Sequence, residues 1–272
     1  MKTWTDRSLV IFIVTVIVLS IIAELGIVLI GLDILYPLLM WLPGLMAVVV
    51  NVISIIEKKE KIGIKTFINR LGFRIAKIRY ILMAVFIPLI YLLIPYLIYW
   101  NRYPDDFAYS GVPIHIVLSD ITPSLIIGVF LGLITALGEE LGWRGYMLPA
   151  LIERVGKKKS LFITSLFWVV WHLPLLIWGG YMEGARLWYK VPAFILCIVP
   201  IGIIIGILTI KSNSVWPAAF LHAAHNNYDQ GIFGLITRGD NMMYYVSETG
   251  IITIICTWII AIGMLLYYKK EL

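Results

Sequence analysis

Long apolar stretches separated by short polar segments dominate this chain of 272 residues. A helix needs about 20 mostly apolar residues to cross a bilayer core about 30 Å thick, and eight stretches reach or approach that length. They lie at 9–30, 34–56, 80–100, 124–151, 160–178, 192–210, 214–236 and 249–268. The pattern predicts an all-α, polytopic transmembrane bundle of about eight spans. The first stretch is too long for a signal peptide and is kept as a helix.

The polar segments between the stretches divide the chain only weakly. Residues 57–79 are basic and amphipathic, which predicts a helix lying along the membrane surface. Residues 101–122 are acidic and aromatic and are interpreted as an outer connector. Because no linker or internal repeat is found, the chain is predicted to be one membrane domain. Within it, 1–123 holds three spans, 124–236 forms a core, and 237–272 holds the last span and the tail.

Composition agrees with a membrane protein, and the distribution of charge orients it. Hydrophobic residues make up 61% of the chain and charged residues only 14%, whereas about 25% is usual in soluble domains. Seventeen of the 22 Lys and Arg residues lie on the side of the N-terminus, four lie on the opposite side, and Arg144 lies within a span. Because cations mark cytoplasmic loops, both termini of this multi-pass plasma-membrane protein are predicted to be cytoplasmic. Such basic loops are expected to contact membrane lipids, and no nucleic acid.

Ionisable side chains inside a membrane are costly and mark candidate functional sites. The fourth stretch holds three of them, Glu139, Glu140 and Arg144. On an α-helix Glu140 and Arg144 share a face, whereas Glu139 points about 100° away. Glu140 is therefore predicted to pair with Arg144, and Glu139 to act on a water or a substrate; a purely structural network of all three is the alternative. Glu24 and Asp229 lie near the outer ends of their stretches and are interpreted as interfacial, close to water.

Two histidines and an asparagine in other stretches extend this candidate site. His172 lies in the fifth stretch, and His222 and Asn226 lie one helical turn apart in the seventh. At about 1.5 Å per residue, Glu139, His172 and His222 fall roughly 16 to 21 Å from the cytoplasmic ends of their helices, near one level of the membrane. His225 competes with His222, which is preferred for its spacing to Asn226. Interhelical hydrogen bonding is the structural alternative for these residues.

Three short motifs now follow one another along the chain. They are Glu-Glu-x-x-x-Arg at 139–144, an aromatic residue four positions before a histidine at 168–172, and His-x-x-x-Asn at 222–226. In this order and spacing, the sequence resembles the CPBP family of intramembrane proteases, which comprises CAAX prenyl proteases of type II and bacteriocin-processing proteins and is also called the ABI domain. The resemblance covers about residues 124–230. Phe is commoner in the second motif, where this chain has Trp168.

The resemblance implies an eight-helix bundle with a conical catalytic cavity, embedded in the membrane and open to the membrane and the cytoplasm. It implies that Glu139 and His172 activate a water, while His222 and Asn226 hold the oxyanion of the tetrahedral intermediate. The implied substrate is a lipidated peptide or protein, in which a prenylated Cys is followed by three residues and the bond after the Cys is cut.

Metal dependence and catalytic activity stay open at this point. Glu139, His172 and His222 could supply three ligands to a zinc ion with an open fourth position. A metal-free site uses the same residues and leaves His222 available as an oxyanion donor, and this is the preferred hypothesis. A non-catalytic bacteriocin-immunity or membrane-scaffold protein with the same fold is the first alternative. A transporter that uses the buried Glu and His residues is the second.

Overall fold

The computed structural model describes residues 3–32 and 34–272, and helices make up most of this part of the chain. The α-helices are α1 Asp6–Ile30, α2 Leu35–Glu57, α3 Ile64–Arg70, α4 Ile78–Arg102, α5 Ile114–Glu140, α6 Leu148–Val155, α7 Lys157–Trp178, α8 Leu187–Ser212, α9 Trp216–Tyr228, α10 Met242–Tyr245 and α11 Ile251–Tyr267. Two π-helices, Leu141–Met147 and Asp229–Phe233, continue α5 and α9. Short 3-10 helices cover Pro104–Asp106 and Ser247–Thr249. The described residues contain no strand.

Six helical stretches in the described residues are long and apolar enough to cross a membrane. They are Asp6–Ile30, Leu35–Glu57, Ile78–Arg102, Ile114–Val155, Lys157–Trp178 and Leu187–Ser212. The other two expected spans are shorter, because α9 gives way to a π-helix after Tyr228 and α11 has 17 residues. The predicted all-α polytopic bundle is confirmed.

The bundle is apolar both inside and outside. Helix α8 runs through its centre, and every residue from Cys197 to Thr209 on this helix is buried, as expected for a helix that is hydrophobic on all sides. Gly202 of α8 allows Ser165 of α7 to approach closely. On the outside, α1 exposes large aliphatic side chains such as Ile22 and Leu29. A face of this kind fits contact with lipid tails better than contact with water.

Helix ends of the bundle form two opposite faces. One face, here called the basic face, holds the N-terminal segment, the connections around α3, α6–α7 and α8–α9, and the C-terminus. Arg154 Nε donates a hydrogen bond to Asp6 there at 2.8 Å, and Ser214 Oγ donates to the carbonyl of Arg74 at 2.6 Å. These contacts join chain segments that are far apart in sequence.

The opposite face, here called the cation-poor face, holds the connections α1–α2, α4–α5, α7–α8 and α9–α11. The backbone N–H of Ala108 donates to the carbonyl of Ile236 at 2.9 Å, and that of Arg238 donates to the carbonyl of Asp106 at 2.7 Å. The connector after α4 is thereby fixed to the segment after α9.

The sequence predicted the wrong helix bounds in two connectors. Between the end of α2 at Glu57 and the start of α4 at Ile78, only Ile64–Arg70 of the expected surface helix is helical, and none of its residues is buried. Helix α5 begins at Ile114, ten residues before the predicted start at 124, and contains Pro123 in its interior. Proline is tolerated within membrane helices, so it did not mark the boundary.

Candidate active site

The fourth span changes its helical geometry where its polar residues lie. After Glu140 the backbone forms the π-helix Leu141–Met147, in which all seven residues are buried. Local π-helices are frequent at functional sites. A Cβ on Gly142 would overlap Pro43 of α2, and one on Gly145 would lie 2.6 Å from the carbonyl oxygen of Leu71. The two glycines therefore permit backbone contacts that fix this segment within the bundle.

Glu140 holds together a set of residues called here the inner cluster (Glu139, Glu140, Arg144, Trp168 and His222). Its Oε1 accepts hydrogen bonds from Arg144 Nη1 and is contacted by His222 Nδ1, both at 3.0 Å. The side chains of Glu140, Arg144 and His222 are 0%, 1% and 3% exposed. Because a carboxylate accepts hydrogen bonds, His222 carries its proton on Nδ1. The predicted ion pair is present, and the same carboxylate also orients His222.

Trp168 contacts the other members of the site. Its Nε1 donates to Glu139 Oε2 at 3.0 Å, and the Arg144 guanidinium lies over its ring, 4.5 Å from the centroid. The rings of His172 and His222 lie 5.5 and 5.3 Å from it. His172 Nδ1 is 2.8 Å from the carbonyl oxygen of Trp168, which can only accept. His172 therefore carries its proton on Nδ1, and its Nε2 keeps a lone pair.

Charge balance limits the protonation of the inner cluster. Glu139, Glu140, Arg144 and His222 are all buried, and a net charge at such a position is costly. When Glu139 is protonated and His222 is neutral, the charges of Glu140 and Arg144 cancel. They also cancel when Glu139 is ionised and His222 is an imidazolium. The two neutral states differ only in whether Glu139 or His222 holds one proton.

A cavity of about 540 Å³ adjoins the inner cluster. It is lined by Glu139, His172, His222 and Asn226, together with Trp168. The sequence-predicted residues thus meet in one cavity, whereas Glu140 and Arg144 lie behind it. His172 and Asn226 are half-buried, which leaves them accessible from the cavity.

Comparisons with known proteins place the chain in a family. Residues 121–228 match the family model described as Type II CAAX prenyl endopeptidase Rce1-like. Over 251 residues, the chain is 31% identical to CAAX prenyl protease 2 of Methanococcus maripaludis, and the alignment covers 87% of this chain and 83% of that relative. The chain belongs to the Rce1-like family of type II CAAX prenyl endopeptidases. This membership confirms the resemblance inferred from the three motifs and makes the protein an intramembrane protease.

The Rce1-like chain has a second polar cluster, called here the mouth cluster. Its members are Tyr91, Tyr96, Tyr181, His225, Asp229, Ser247 and Glu248. His225 Nε2 lies 2.8 Å from Glu248 Oε1, and Tyr181 donates to Glu248 Oε2 at 2.6 Å. Burial raises the pKa of the Glu248 carboxyl, but the hydrogen bond and charge of His225 outweigh it, so the pKa lies below its ordinary value. His225, the competitor of His222, thus belongs to this cluster.

The structure brings together a different set of potential metal ligands from the set that the sequence predicted. Within the described ranges, the ligand atoms of His225, Asp229 and Glu248 lie within 4.8 Å of one another, and all three residues are buried. That spacing could hold a metal ion. Glu139, His172 and His222, the predicted zinc ligands, do not form such a group among the described residues.

Sequence reasoning missed most of the mouth cluster in this Rce1-like protein. Asp229 was interpreted as lying near water, but it is 1% exposed and accepts hydrogen bonds from Tyr96 at 3.0 Å and Ser247 at 2.6 Å. Glu24 is also buried, at 2% exposed. Glu248 lies in a polar connector, where an acidic residue gives no signal of burial.

Proposed function

We propose that the protein cleaves a lipidated peptide or protein in which a prenylated Cys is followed by three residues, and that it cuts directly after the Cys. Family membership and the name of the Methanococcus maripaludis relative support this substrate. One observation carries the assignment of the active site: Glu139, His172, His222 and Asn226 line a single cavity.

The cavity suits a substrate that is part lipid and part peptide. Its volume of about 540 Å³ lies within the usual range of ligand sites, about 300 to 1,000 Å³. Apolar side chains of α2 and α7 form one wall, namely Leu39, Met40, Trp171 and Leu175. Each prenyl methylene group buried there contributes about 0.8 kcal/mol, so the lipid anchors the peptide beside the polar residues.

Glu139 and His172 activate the attacking water in this proposal. Trp168 fixes Glu139 by its indole N–H, and the Trp168 carbonyl fixes His172 through Nδ1, which leaves His172 Nε2 free to accept a proton. One O–H bond of the water breaks, its proton passes to this pair, and the oxygen bonds to the scissile carbonyl carbon. A positioned base of this kind contributes about 10² to 10⁴ in rate.

His222 and Asn226 stabilise the oxyanion that forms. With Nδ1 held by Glu140, a protonated His222 presents Nε2–H to the oxyanion, and the Asn226 amide supplies a second donor. Donors fixed in advance are worth about 10² to 10³ each in kcat. When the C–N bond breaks, the leaving nitrogen takes the proton that the water lost. The products are a prenylated Cys with a free carboxylate and a free tripeptide.

The decisive experiment is cleavage of a farnesylated CAAX peptide by purified protein. We expect Glu139→Ala, His172→Ala and His222→Ala to abolish cleavage while the protein stays folded in detergent. His115→Ala, at an exposed position outside the cavity, is the control and should keep full activity. Wild-type protein that never cleaves a lipidated peptide would favour the immunity-protein hypothesis, and three active variants would remove the site assignment.

We propose a metal-free reaction. It is supported by the ligand atoms of Glu139, His172 and His222, which do not come together as a metal-ligand group among the described residues. Full activity after chelation, in protein with less than stoichiometric zinc by elemental analysis, is the expected result. Activity that disappears on chelation and returns with zinc would contradict it.

We further propose that the protein lies in the plasma membrane with both termini in the cytoplasm. The support is the excess of Lys and Arg in the N-terminal, C-terminal and connecting segments of the basic face. The same residues would attract anionic lipid headgroups.

A further inference from the structure

A second cavity lies on the basic face of the bundle. Its volume is about 490 Å³, and it shares no lining residue with the active-site cavity. The N-terminal segment, α3 and the connector after it, the first motif, α6 and the end of α8 all contribute to its lining. Among the described residues, this lining includes three arginines, Arg70, Arg74 and Arg144, and no carboxylate. A cavity of this composition attracts anions.

Two of these arginines keep nitrogens that no other protein atom binds. Arg70 Nη2 donates to Glu60 at 2.5 Å, whereas Arg70 Nη1 is buried without a hydrogen-bond partner in the described part of the chain. Arg144 Nη1 donates to Glu140, and its Nε and Nη2 are buried there without partners as well. Because unpaired buried N–H groups are costly, an acceptor that comes from outside the chain and occupies the cavity can stabilise both side chains.

Arg74 supplies a positive charge that is not balanced within the protein. The other two arginines are each paired with a glutamate, but the exposed Arg74 has no carboxylate partner among the described residues. The carbonyl of Arg74 accepts a hydrogen bond from Ser214, and that of Gly72 accepts one from the backbone N–H of Val215 at 2.9 Å. The backbone that carries Arg74 is therefore fixed beside the cavity.

The rest of the lining indicates what kind of anion fits. Polar groups come from Thr66, Asn69 and Asn213, and apolar side chains come from Leu148, Ile152 and Ile210. A phosphate ester presents several acceptor oxygens, and guanidinium groups bind phosphate through paired hydrogen bonds. The apolar side chains fit the carbon-containing part of such an ester. The cavity volume also lies within the usual range of organic-ligand sites, about 300 to 1,000 Å³.

Helix α3, which forms one side of this cavity, fits a position at a membrane surface. None of its residues is buried, and it exposes the aliphatic side chains of Ile64 and Ile68 together with the cation Lys65. A short helix of this kind lies at the level of lipid headgroups. Headgroup phosphates are therefore within reach of the cavity.

We propose that the cavity on the basic face binds a phosphate group. Arg70 and Arg74 meet the charge of the phosphate, and Arg144, whose own charge Glu140 balances, adds N–H donors but no net charge. A lipid headgroup and free inorganic phosphate share this chemistry. Binding can be measured without any peptide cleavage, so this inference stands apart from the proposed function.

Binding to the purified protein in a neutral detergent tests the proposal. Phosphatidic acid and diacylglycerol, which differ only in the phosphate, are added to separate samples, and native mass spectrometry counts the bound lipid. Isothermal titration calorimetry with inorganic phosphate is the second arm. Arg74→Gln removes the unbalanced charge. Lys65→Gln is the matched control, because it removes one charge from an exposed position of α3 that does not line the cavity.

We expect about one equivalent of phosphatidic acid to bind at least tenfold more tightly than diacylglycerol, and Arg74→Gln to weaken this binding about tenfold. Lys65→Gln should bind like the wild type. Arg74→Lys, which keeps the charge, should bind more tightly than Arg74→Gln, and this difference would separate loss of charge from misfolding.

The two arms distinguish the sources of the phosphate. Binding of inorganic phosphate but not of phosphatidic acid, weakened in Arg74→Gln, would support the site with free phosphate as its ligand. Equal binding of the two lipids together with no binding of phosphate would overturn the proposal. Equal losses in Arg74→Gln and Lys65→Gln would overturn it as well, because general attraction to a basic surface would then explain the binding.

Discussion

In the inner cluster an arginine and a histidine face two glutamates, whereas in the mouth cluster a single histidine faces two carboxylates that are held by phenol and serine hydroxyls. The clusters also differ in their unused hydrogen-bonding capacity. Within the described part of the chain, Glu140 Oε2 and two nitrogens of Arg144 are buried without a hydrogen-bond partner, while both oxygens of each mouth-cluster carboxylate and both ring nitrogens of His225 have one. Unpaired buried groups are costly and persist where function requires them.

This difference separates chemistry from positioning. In the proposed mechanism the inner cluster supplies an ionised Glu139 as a base and a protonated His222 as an oxyanion donor, and these two charges cancel. The mouth cluster is a closed network, and Tyr181 connects it to the site, since its hydroxyl donates to Glu248 and its ring stacks on His172 at 6.0 Å. We therefore expect substitutions in the two clusters to have effects of different size.

The largest difference is expected in catalysis. Glu139→Gln keeps the side-chain volume but removes the base, so kcat/KM for a farnesylated peptide should fall about 10³-fold or more. Glu248→Gln, the matched change in the mouth cluster, should cost about tenfold, equivalent to about 1.4 kcal/mol. Peptide-cleavage kinetics of both variants measure this contrast. Equal losses would show that the clusters do not divide chemistry from positioning.

The next difference is in stability. Arg144→Met removes one partner of the buried Arg144–Glu140 ion pair, which should lower the free energy of unfolding by about 3–5 kcal/mol. The double variant Glu140→Gln/Arg144→Met should recover much of that loss. His225→Phe leaves Glu248 with its hydrogen bond from Tyr181 and should cost only about 1–3 kcal/mol. Denaturation in detergent gives the values, and a double variant no more stable than Arg144→Met would contradict the ion-pair account.

A smaller effect is expected from Trp168. Trp168→Phe removes the indole donor to Glu139, and hydrogen bonds to charged groups are worth about 1.5–3 kcal/mol, so kcat/KM should fall at least tenfold. Trp171→Phe is the matched control, since Trp171 also lines the cavity but donates to Ser20 at 2.6 Å. A similar loss in both variants would mean that ring packing, and not the hydrogen bond, positions Glu139.

The smallest effect concerns the charge of the substrate. The cavity is lined by four carboxylates, Glu139, Glu183, Asp229 and Glu248, and by no Lys or Arg within the described residues. A peptide with Asp among its last three residues should be cut about fivefold more slowly than its Asn analogue, because one unit of repulsion at 4 Å in water is about 1 kcal/mol. Glu183→Gln should reduce this preference, as should added salt. Faster cleavage of the Asp peptide would contradict it.

The sequence predicted the inner cluster because its residues stand out against an apolar background. Glu139, Glu140 and Arg144 are costly inside a membrane, and motif spacing brought His172 and His222 into the same hypothesis. The π-helix was not predictable, since an α-helical period was assumed throughout the span. Neither was the double role of Trp168, whose indole and carbonyl hold two different residues.

The mouth cluster was not predictable, because its acidic residues do not stand out against an apolar background. Asp229 and Glu248 lie at the ends of apolar stretches, where polar residues are common and cost little. Asp229 follows His225 by four residues, but only the folded chain brings Glu248 to His225 and the tyrosines to both carboxylates, across separations such as 133 residues between Tyr96 and Asp229. Their burial is a tertiary property with no local signal.

The second cavity of about 490 Å³, lined by Arg70 and Arg144, shares no lining residue with the active-site cavity, and the wall between them bears on the membrane as a permeability barrier. A hydrolase within a bilayer must admit water to its active site without joining the aqueous phases on the two sides. Here Glu139 lines the active-site cavity, and the buried segment 141–147 that follows it contributes Arg144 and Gly145 to the lining of the other cavity. Arg144 is paired with Glu140 at 3.0 Å, so this part of the wall carries no unpaired charge that would draw ions into it. The first motif therefore serves as a seal against water and ions as well as a source of catalytic groups.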